Sequence, residues 1–172
     1  MRLLGLDEVW WLVSPQNPLK ATAGMATLAA RLASAQAAAR HPRIKVMDIE
    51  AAMGTRFAVD TVAGLRRRCP GTAFIWLMGA DIVADLHRWH RWRGFMRSLP
   101  IAVLARPRYM GPALVSPAMV WARRWRRPTG SARDWTRWTL PAIIVLDIRQ
   151  TALSATAIRA AEPNWAARHD GI

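Results

Sequence analysis

The sequence predicts an α/β fold with a parallel sheet. Short β-branched or aromatic runs alternate with longer segments of helical period along the chain, which is the order of elements in such folds. Several of the short runs are apolar throughout, as strands covered on both faces should be. A chain of 172 residues with 52% hydrophobic and 21% charged residues suits one globular domain. We therefore expect a single domain over residues 1–172.

The strands and helices follow from these patterns. The predicted strands are residues 9–13, 44–49, 73–78, 101–105 and 143–148. Apolar residues at helical spacing predict buried helix faces between them. These are Met25, Leu28 and Leu32, then Val59, Val62 and Leu65, then Ile82, Leu86 and Trp89, and in a terminal helix Ile158, Ala161 and Trp165. Residues 107–141 are less regular, and within them we expect one short helix over the basic, aromatic residues 121–127.

The composition narrows the compartment and the partners. The formal net charge is +14, and Lys20 and Lys45 are the lysines among 25 basic residues. Such a positive field favours anionic partners, whether nucleotides, nucleic acid or anionic lipid. No apolar run approaches the roughly 18 residues of a membrane helix, and Asp7 and Glu8 interrupt the apolar N-terminus where a signal peptide would need continuity. Cys69 is the single cysteine, so a disulfide framework is not expected. We therefore expect a cytoplasmic protein that does not associate with a membrane.

Four stretches carry candidate chemistry. Residues 14–20 follow the first predicted strand, where open α/β sheets place ligand loops. Gly79-Ala-Asp81 combines close backbone approach with a carboxylate that can accept bonds from ribose hydroxyls. Trp89 offers a face for stacking on a heterocycle, and residues 153–159 offer a phosphate site at a helix start. Taken singly, an ordinary turn, a helix cap, a core tryptophan and a capping box explain them equally well.

In this order and at these spacings, the stretches resemble those of the nicotinate-nucleotide adenylyltransferases. These enzymes belong to the nucleotidylyltransferase superfamily and join nicotinate mononucleotide to ATP. The resemblance implies a Rossmann-like, doubly wound parallel sheet of the nucleotidylyltransferase type. It covers residues 1 to about 160 and rests on Trp10-Trp-Leu-Val-Ser-Pro-Gln-Asn-Pro-Leu-Lys20, Phe57-Ala-Val-Asp-Thr61, Gly79-Ala-Asp81, Arg106-Pro107 and Ser154-Ala-Thr-Ala-Ile-Arg159.

The resemblance also implies roles for individual residues in the ATP half of the site. Gly79 and Asp81 would bind the adenosine ribose, and Ser154, Thr156 and Arg159 would contact the ATP phosphates. Mg²⁺ would accompany ATP. No protein nucleophile is needed, because the mononucleotide phosphate itself attacks ATP and catalysis rests on alignment and charge stabilisation.

In the nicotinate half, Trp89 would stack on the pyridine ring, Asp60 and Thr61 would shape the pocket beside it, and Lys20 would meet a phosphate. The expected partners are ATP and nicotinate mononucleotide. Nucleic acid is not an expected partner, and the sequence does not indicate an oligomeric state.

One segment of the family is not found in this sequence. The family begins with a strand followed by a Gly-x-Phe-x-Pro-x-His-x-Gly-His segment, whose histidines face the ATP phosphates. His87 and His90 have neither its position nor its glycine, so we assign no catalytic residue and no metal ligand. Residues 1–5 look like the end of a helix. We therefore expect a family member without the first strand and most of the first helix, through a misassigned start or a truncated gene, and with impaired catalysis.

Two other functions are compatible with the residues. A sister adenylyltransferase would act on another phosphorylated acceptor, such as phosphopantetheine, through a similar adenine half. A non-catalytic remnant would bind nucleic acid through the arginines and tryptophans of residues 121–127. Against the latter stands a solvated arginine surface with its tryptophans packed inward, which is the reading that we favour for that stretch.

Overall fold

The computed structural model describes residues 1–15 and 26–148, in which strands and helices alternate as predicted. The strands are β1 Val9–Leu12, β2 Ile44–Met47, β3 Trp76–Gly79, β4 Ile101–Leu104, β5 Arg126–Arg127 and β6 Ile143–Leu146. The α-helices are α1 Leu28–Ala38, α2 Ile49–Met53, α3 Ala58–Arg68, α4 Ala80–Asp85, α5 Trp92–Ser98, α6 Pro107–Leu114 and α7 Pro117–Ala122. Three 3₁₀ helices span Leu86–Arg88, Arg123–Trp125 and Thr129–Arg137.

The described residues form two compact units, of which the first comprises residues 1, 6–15 and 26–56. Its strands β1 and β2 pair in parallel, from Val9 with Ile44 to Leu12 with Met47, and α1 lies between them in sequence. Thr27 caps α1, because its Oγ1 accepts a hydrogen bond of 3.1 Å from the Ala30 amide. This β–α–β order is the one that a parallel pair requires.

The second unit comprises residues 57–148 together with 2–5. Its sheet has the strand order β3-β4-β6-β5, and all of its pairings are parallel. Ile101, Ala102 and Val103 of β4 are fully buried, as are Ile143 and Ile144 of β6. Helices α3, α4, α5, α6 and α7 contribute to the same core. The prediction of an α/β fold with apolar, parallel strands is confirmed.

The structure departs from the prediction in the less regular part of the chain. Residues 121–127 do not form one helix: α7 ends at Ala122, a 3₁₀ turn follows, and Arg126–Arg127 form the edge strand β5. The helix carrying Ile82 and Leu86 is also shorter than predicted, since α4 ends at Asp85 and a 3₁₀ turn leads to Trp89. The terminal helix predicted around Ile158 lies outside the described residues.

The turn at residues 1–6 has the hydrogen bonds of a helix end, as predicted. The amide of Gly5 donates to the carbonyl of Arg2 and that of Leu6 donates to the carbonyl of Met1, which is the Schellman pattern. Gly5 has a φ of 63°, which glycine adopts without steric cost. Among the described residues, no helix combines the length and apolar character needed to cross a bilayer.

Candidate active site

The candidate site begins where β3 ends. Gly79 is the last residue of β3 and the N-cap of α4, and Asp81 lies in the first turn of that helix. The Asp81 carboxylate folds back over Gly79, so a Cβ atom at this position would collide with Asp81 Oδ1 and would lie 3.3 Å from Arg106 Nε. Glycine is therefore the residue that lets the carboxylate and the backbone share this space.

Arg106 holds the carboxylate from the neighbouring strand. It follows β4 and caps α6, and its Nη1 lies 3.5 Å from Asp81 Oδ2. The two side chains are 50% and 30% exposed. Oδ1 of Asp81 is buried and accepts no hydrogen bond within the part of the chain that the structure describes. The carboxylate therefore keeps acceptor capacity for the hydroxyl groups of a ligand.

This ion pair was not foreseen from the sequence, in which Arg106 appeared only beside Pro107. The signal was nevertheless available. Strands β3 and β4 pair in parallel, with Gly79 opposite Leu104, and polar residues directly after adjacent parallel strands meet at one edge of the sheet. A carboxylate two residues after the first strand and a guanidinium two residues after the second are thus brought together.

Asp60 and Thr61, which are predicted to shape the nicotinate pocket, lie at the start of α3. Asp60 is half-buried in the first turn. Thr61 is completely buried, and its Oγ1 donates a 3.2 Å hydrogen bond to the carbonyl of Phe57. The Thr61 hydroxyl thus faces the backbone of its own helix, so the Asp60 carboxylate is the more accessible of the two groups.

An aromatic contact places Trp89 near the start of α3. Trp89 is half-buried and packs on Phe95 with ring centroids 5.5 Å apart. The next residue, His90, stacks on Phe57 at 4.3 Å with an interplanar angle of 28°. The segment that carries Trp89 therefore lies beside the residue that precedes α3. Trp89 thus combines a core contact with a partly exposed ring.

Four predicted site residues, Lys20, Ser154, Thr156 and Arg159, lie outside the described residues. The structure does show how the loop that leads to Lys20 begins in the first unit. The Arg31 guanidinium donates to the carbonyls of Ser14 and Pro15, at 2.8 Å for Pro15. Arg31 lies in α1, and this support for the loop had no signal in the sequence beyond a basic residue in a helix.

The described residues do not contain a group of three or more histidine, cysteine, aspartate or glutamate side chains placed to hold a metal ion. His87 and His90 do not act as a pair there: His90 stacks on Phe57, and the buried His87 Nδ1 has no hydrogen-bond partner in that part of the chain. The chemistry that this arrangement supports is recognition of hydroxyl groups and of an aromatic ring.

Comparison with known proteins identifies the family. The model of the cytidylyltransferase-like family matches residues 1–161. A protein of Erythrobacter litoralis, named "Probable nicotinate-nucleotide adenylyltransferase", is 50% identical over 169 residues, which cover 98% of this chain and 77% of that protein. The chain belongs to the cytidylyltransferase-like family, and within it to the nicotinate-nucleotide adenylyltransferases.

Two further relatives carry the same name. A relative of that name from Parvibaculum lavamentivorans is 50% identical over 92% of this chain and 79% of its own length. One from Cereibacter sphaeroides is 52% identical over 90% of this chain and 82% of its own length. This family member is thus an α/β protein of a nucleotidyltransferase family, and the resemblance drawn from its motifs is confirmed.

Proposed function

We propose that this protein transfers the adenylyl group of ATP to nicotinate mononucleotide, as the names of its relatives indicate for them. A phosphate oxygen of the mononucleotide attacks the α-phosphorus of ATP. The new P–O bond forms as the bond to the bridging oxygen of the β-phosphate breaks, so deamido-NAD and pyrophosphate are the products. The cytoplasm is the proposed compartment.

The observation that carries the proposal is the Asp81 carboxylate at the end of β3. It is held by Arg106 over a glycine that leaves room for it, and this is where open α/β sheets bind nucleotides. We assign Asp81 to the adenosine ribose and the backbone at Gly79 to close contact with the nucleotide. Ser154, Thr156 and Arg159 are proposed to contact the ATP phosphates.

For the second substrate, we assign Trp89 to the pyridine ring and Asp60 to the pocket beside it. Thr61 is proposed to shape that pocket through the first turn of α3, since its hydroxyl is bonded there. Lys20 is proposed to meet a phosphate. Residues 1–172 are proposed to form one nucleotidylyltransferase-like domain.

Mg²⁺ is proposed to reach the site as part of the ATP substrate. Mg²⁺ is commonly held by one or two carboxylates together with substrate phosphates and water. Its role there would be to neutralise charge on the phosphates while the protein aligns them.

The test separates binding from catalysis. The 172-residue protein is titrated with ATP by calorimetry and then incubated with MgATP and nicotinate mononucleotide, with deamido-NAD measured by chromatography. Nicotinamide mononucleotide and phosphopantetheine serve as alternative acceptors. We expect ATP binding and a preference for nicotinate mononucleotide. Faster turnover of phosphopantetheine would contradict the proposal that nicotinate mononucleotide is the acceptor. ATP binding without any product would contradict the proposal that this chain catalyses the transfer.

A further inference from the structure

A long part of the second unit carries arginines without any acidic residue. Between Asp85 and Asp134 the sequence has no aspartate or glutamate, in a protein with a formal net charge of +14. The eleven arginines of this interval are Arg88, Arg91, Arg93, Arg97, Arg106, Arg108, Arg123, Arg124, Arg126, Arg127 and Arg133. Because the interval cannot neutralise itself, its surface attracts anions.

Three of these arginines stack on three tryptophans to form one continuous surface, the tryptophan–arginine cluster. Its members are Trp92, Trp121, Trp125, Arg93, Arg97 and Arg124. The ring centroids of Trp92 and Trp121 are 5.3 Å apart, and those of Trp121 and Trp125 are 4.6 Å apart. The guanidinium carbon of Arg93 lies 4.4 Å from the ring centroid of Trp92. That of Arg97 lies 5.1 Å from the centroid of Trp121, and that of Arg124 lies 4.9 Å from the centroid of Trp125. These distances are within the range of cation–π interactions.

The stacking orders the guanidinium groups without using their donors. A guanidinium that lies over a ring does not use its N–H groups for that contact. Arg93, Arg97 and Arg124 are exposed, and within residues 1–15 and 26–148 none of them lies within 4.0 Å of a carboxylate. Arg88 and Arg106 of the same interval, in contrast, pair with Asp85 and Asp81. The three groups are therefore held in place and open to phosphate.

Although the residues alone indicate a solvated arginine surface at 121–127, we propose that the tryptophan–arginine cluster binds the phosphodiester backbone of nucleic acid. The tryptophan rings are half-buried and contact arginines or one another, so recognition rests on phosphate charge and not on stacking with bases. The expected binding is independent of base sequence and strongly dependent on salt. This activity is separate from the proposed transfer reaction, whose residues in the second unit are not members of the cluster.

An anionic membrane surface is the competing partner. Val120, beside Trp121, is 52% exposed and offers an apolar group that a bilayer could take up. The cluster itself favours nucleic acid, because its rings lie beneath the arginines instead of projecting from them. Interfacial binding relies on aromatic and aliphatic side chains that enter the lipid boundary.

The test uses the 172-residue protein and a fluorescein-labelled oligouridylate of about 20 nucleotides, long enough for a groove of roughly 4–16 nucleotides. Anisotropy gives the Kd at several KCl concentrations. The test variant combines Arg93→Gln, Arg97→Gln and Arg124→Gln. The control combines Arg67→Gln, Arg68→Gln and Arg137→Gln, which are exposed arginines outside the cluster and change the net charge equally.

We expect the test variant to weaken binding by about tenfold or more. The slope of log Kd against log KCl concentration should fall by about 2, which is roughly 0.7 for each lost phosphate contact. The control variant should change the Kd by less than about threefold. Circular dichroism monitors the fold of both. If the test variant is unfolded, Arg97→Gln alone is used, with an expected loss of about threefold.

Three outcomes would overturn the proposal. Equal weakening by the test and control variants would mean that the overall charge attracts the oligonucleotide without a defined surface. The absence of binding at low salt would exclude a nucleic-acid partner. Binding to phosphatidylglycerol vesicles with no binding to the oligonucleotide would assign the cluster to a membrane surface.

Discussion

The two units of the protein differ in how deeply their sheets are buried. In the first unit, β1 and β2 contain no fully buried residue, and Trp11 of β1 is 43% exposed. In the second unit, β4 has three residues without any exposed surface. The largest fully buried side chains among the described residues all lie in the second unit, namely Phe95, Leu86, Met96, Ile101, Ile143, Ile144, Val83, Val103 and Thr61. Most of the hydrophobic stabilisation described by the structure therefore resides there.

The comparison also shows where the polar groups of the site are placed. Gly79, Asp81 and Arg106 each lie within two residues of a strand of the well-packed sheet. The strands give these groups a rigid support, while the groups themselves remain partly exposed. Stability and ligand binding in the second unit should therefore respond to different substitutions.

The largest expected effect is that of Phe95→Ala on stability. Phe95 is fully buried and contacts the rings of Trp76 and Trp89, so its removal leaves a cavity in the core of the second unit. We expect a loss of about 3–5 kcal/mol in the free energy of unfolding, measured by urea denaturation with tryptophan fluorescence.

Leu12→Ala in β1 is the matched substitution in the first unit. Leu12 is half-buried, so the expected loss is about 1–2 kcal/mol. Hydrogen exchange locates each effect, since Phe95→Ala should accelerate exchange in β4 and Leu12→Ala should accelerate it in β2. An equal loss for both substitutions would show that the two units are not stabilised differently.

The next effect separates binding from stability within the second unit. Asp81→Asn removes the charge that would accept bonds from a ribose, a loss of about 1.5–3 kcal/mol that corresponds to roughly 10-fold to 100-fold weaker ATP binding. The free energy of unfolding should change by no more than about 1 kcal/mol, since the lost ion pair with Arg106 is half-exposed. Asp85→Asn is the control, because Asp85 also pairs with an arginine, Arg88, at 3.4 Å. A similar loss of ATP binding in both variants would remove the special role of Asp81.

Arg106→Gln should have a smaller effect in the same direction. Its ion pair with Asp81 is half-exposed, and such pairs contribute up to about 1 kcal/mol to stability. Because Arg106 would act on ATP only by orienting Asp81, we expect at most a roughly fivefold rise in the Kd for ATP. We expect Arg106→Lys to restore part of the affinity, because it returns a positive charge near the carboxylate. If the lysine variant binds no better than the glutamine variant, Arg106 does not position Asp81 electrostatically.

The sequence patterns predicted the second sheet better than its margins. The apolar runs at residues 101–105 and 143–148 appear as β4 and β6, because strands covered on both faces leave a continuous apolar signal. The edge strand β5 consists of Arg126 and Arg127 and leaves no such signal. It pairs with β6 through backbone groups, which every sequence contains.

The site divides in the same way. The position of Gly79 and Asp81 at the end of a strand was predictable from the apolar run before them, and their binding of a ligand stays a prediction based on where ligand loops occur in α/β sheets. The contact between Asp81 and Arg106 depends on which strands are neighbours, and the inward hydrogen bond of Thr61 depends on its rotamer. Neither property is encoded in a local spacing. Residue types indicated the chemistry of the site, and the sheet order determined which groups meet.

The smallest expected effects are those of replacing one glycine in each unit, which change the backbone's conformational freedom. Gly54 ends α2 in the first unit with a φ of 62° and open space around it, so Gly54→Ala should destabilise the protein by about 1 kcal/mol through backbone strain alone. Gly94 lies inside α5 of the second unit, where a Cβ would meet Arg91 Cβ at an ordinary 3.9 Å. Gly94→Ala should therefore stabilise by about 0.5–1 kcal/mol. Urea denaturation of both variants compares the signs. A stabilising Gly54→Ala would show that α2 does not need the left-handed residue and that the first unit tolerates another helix end.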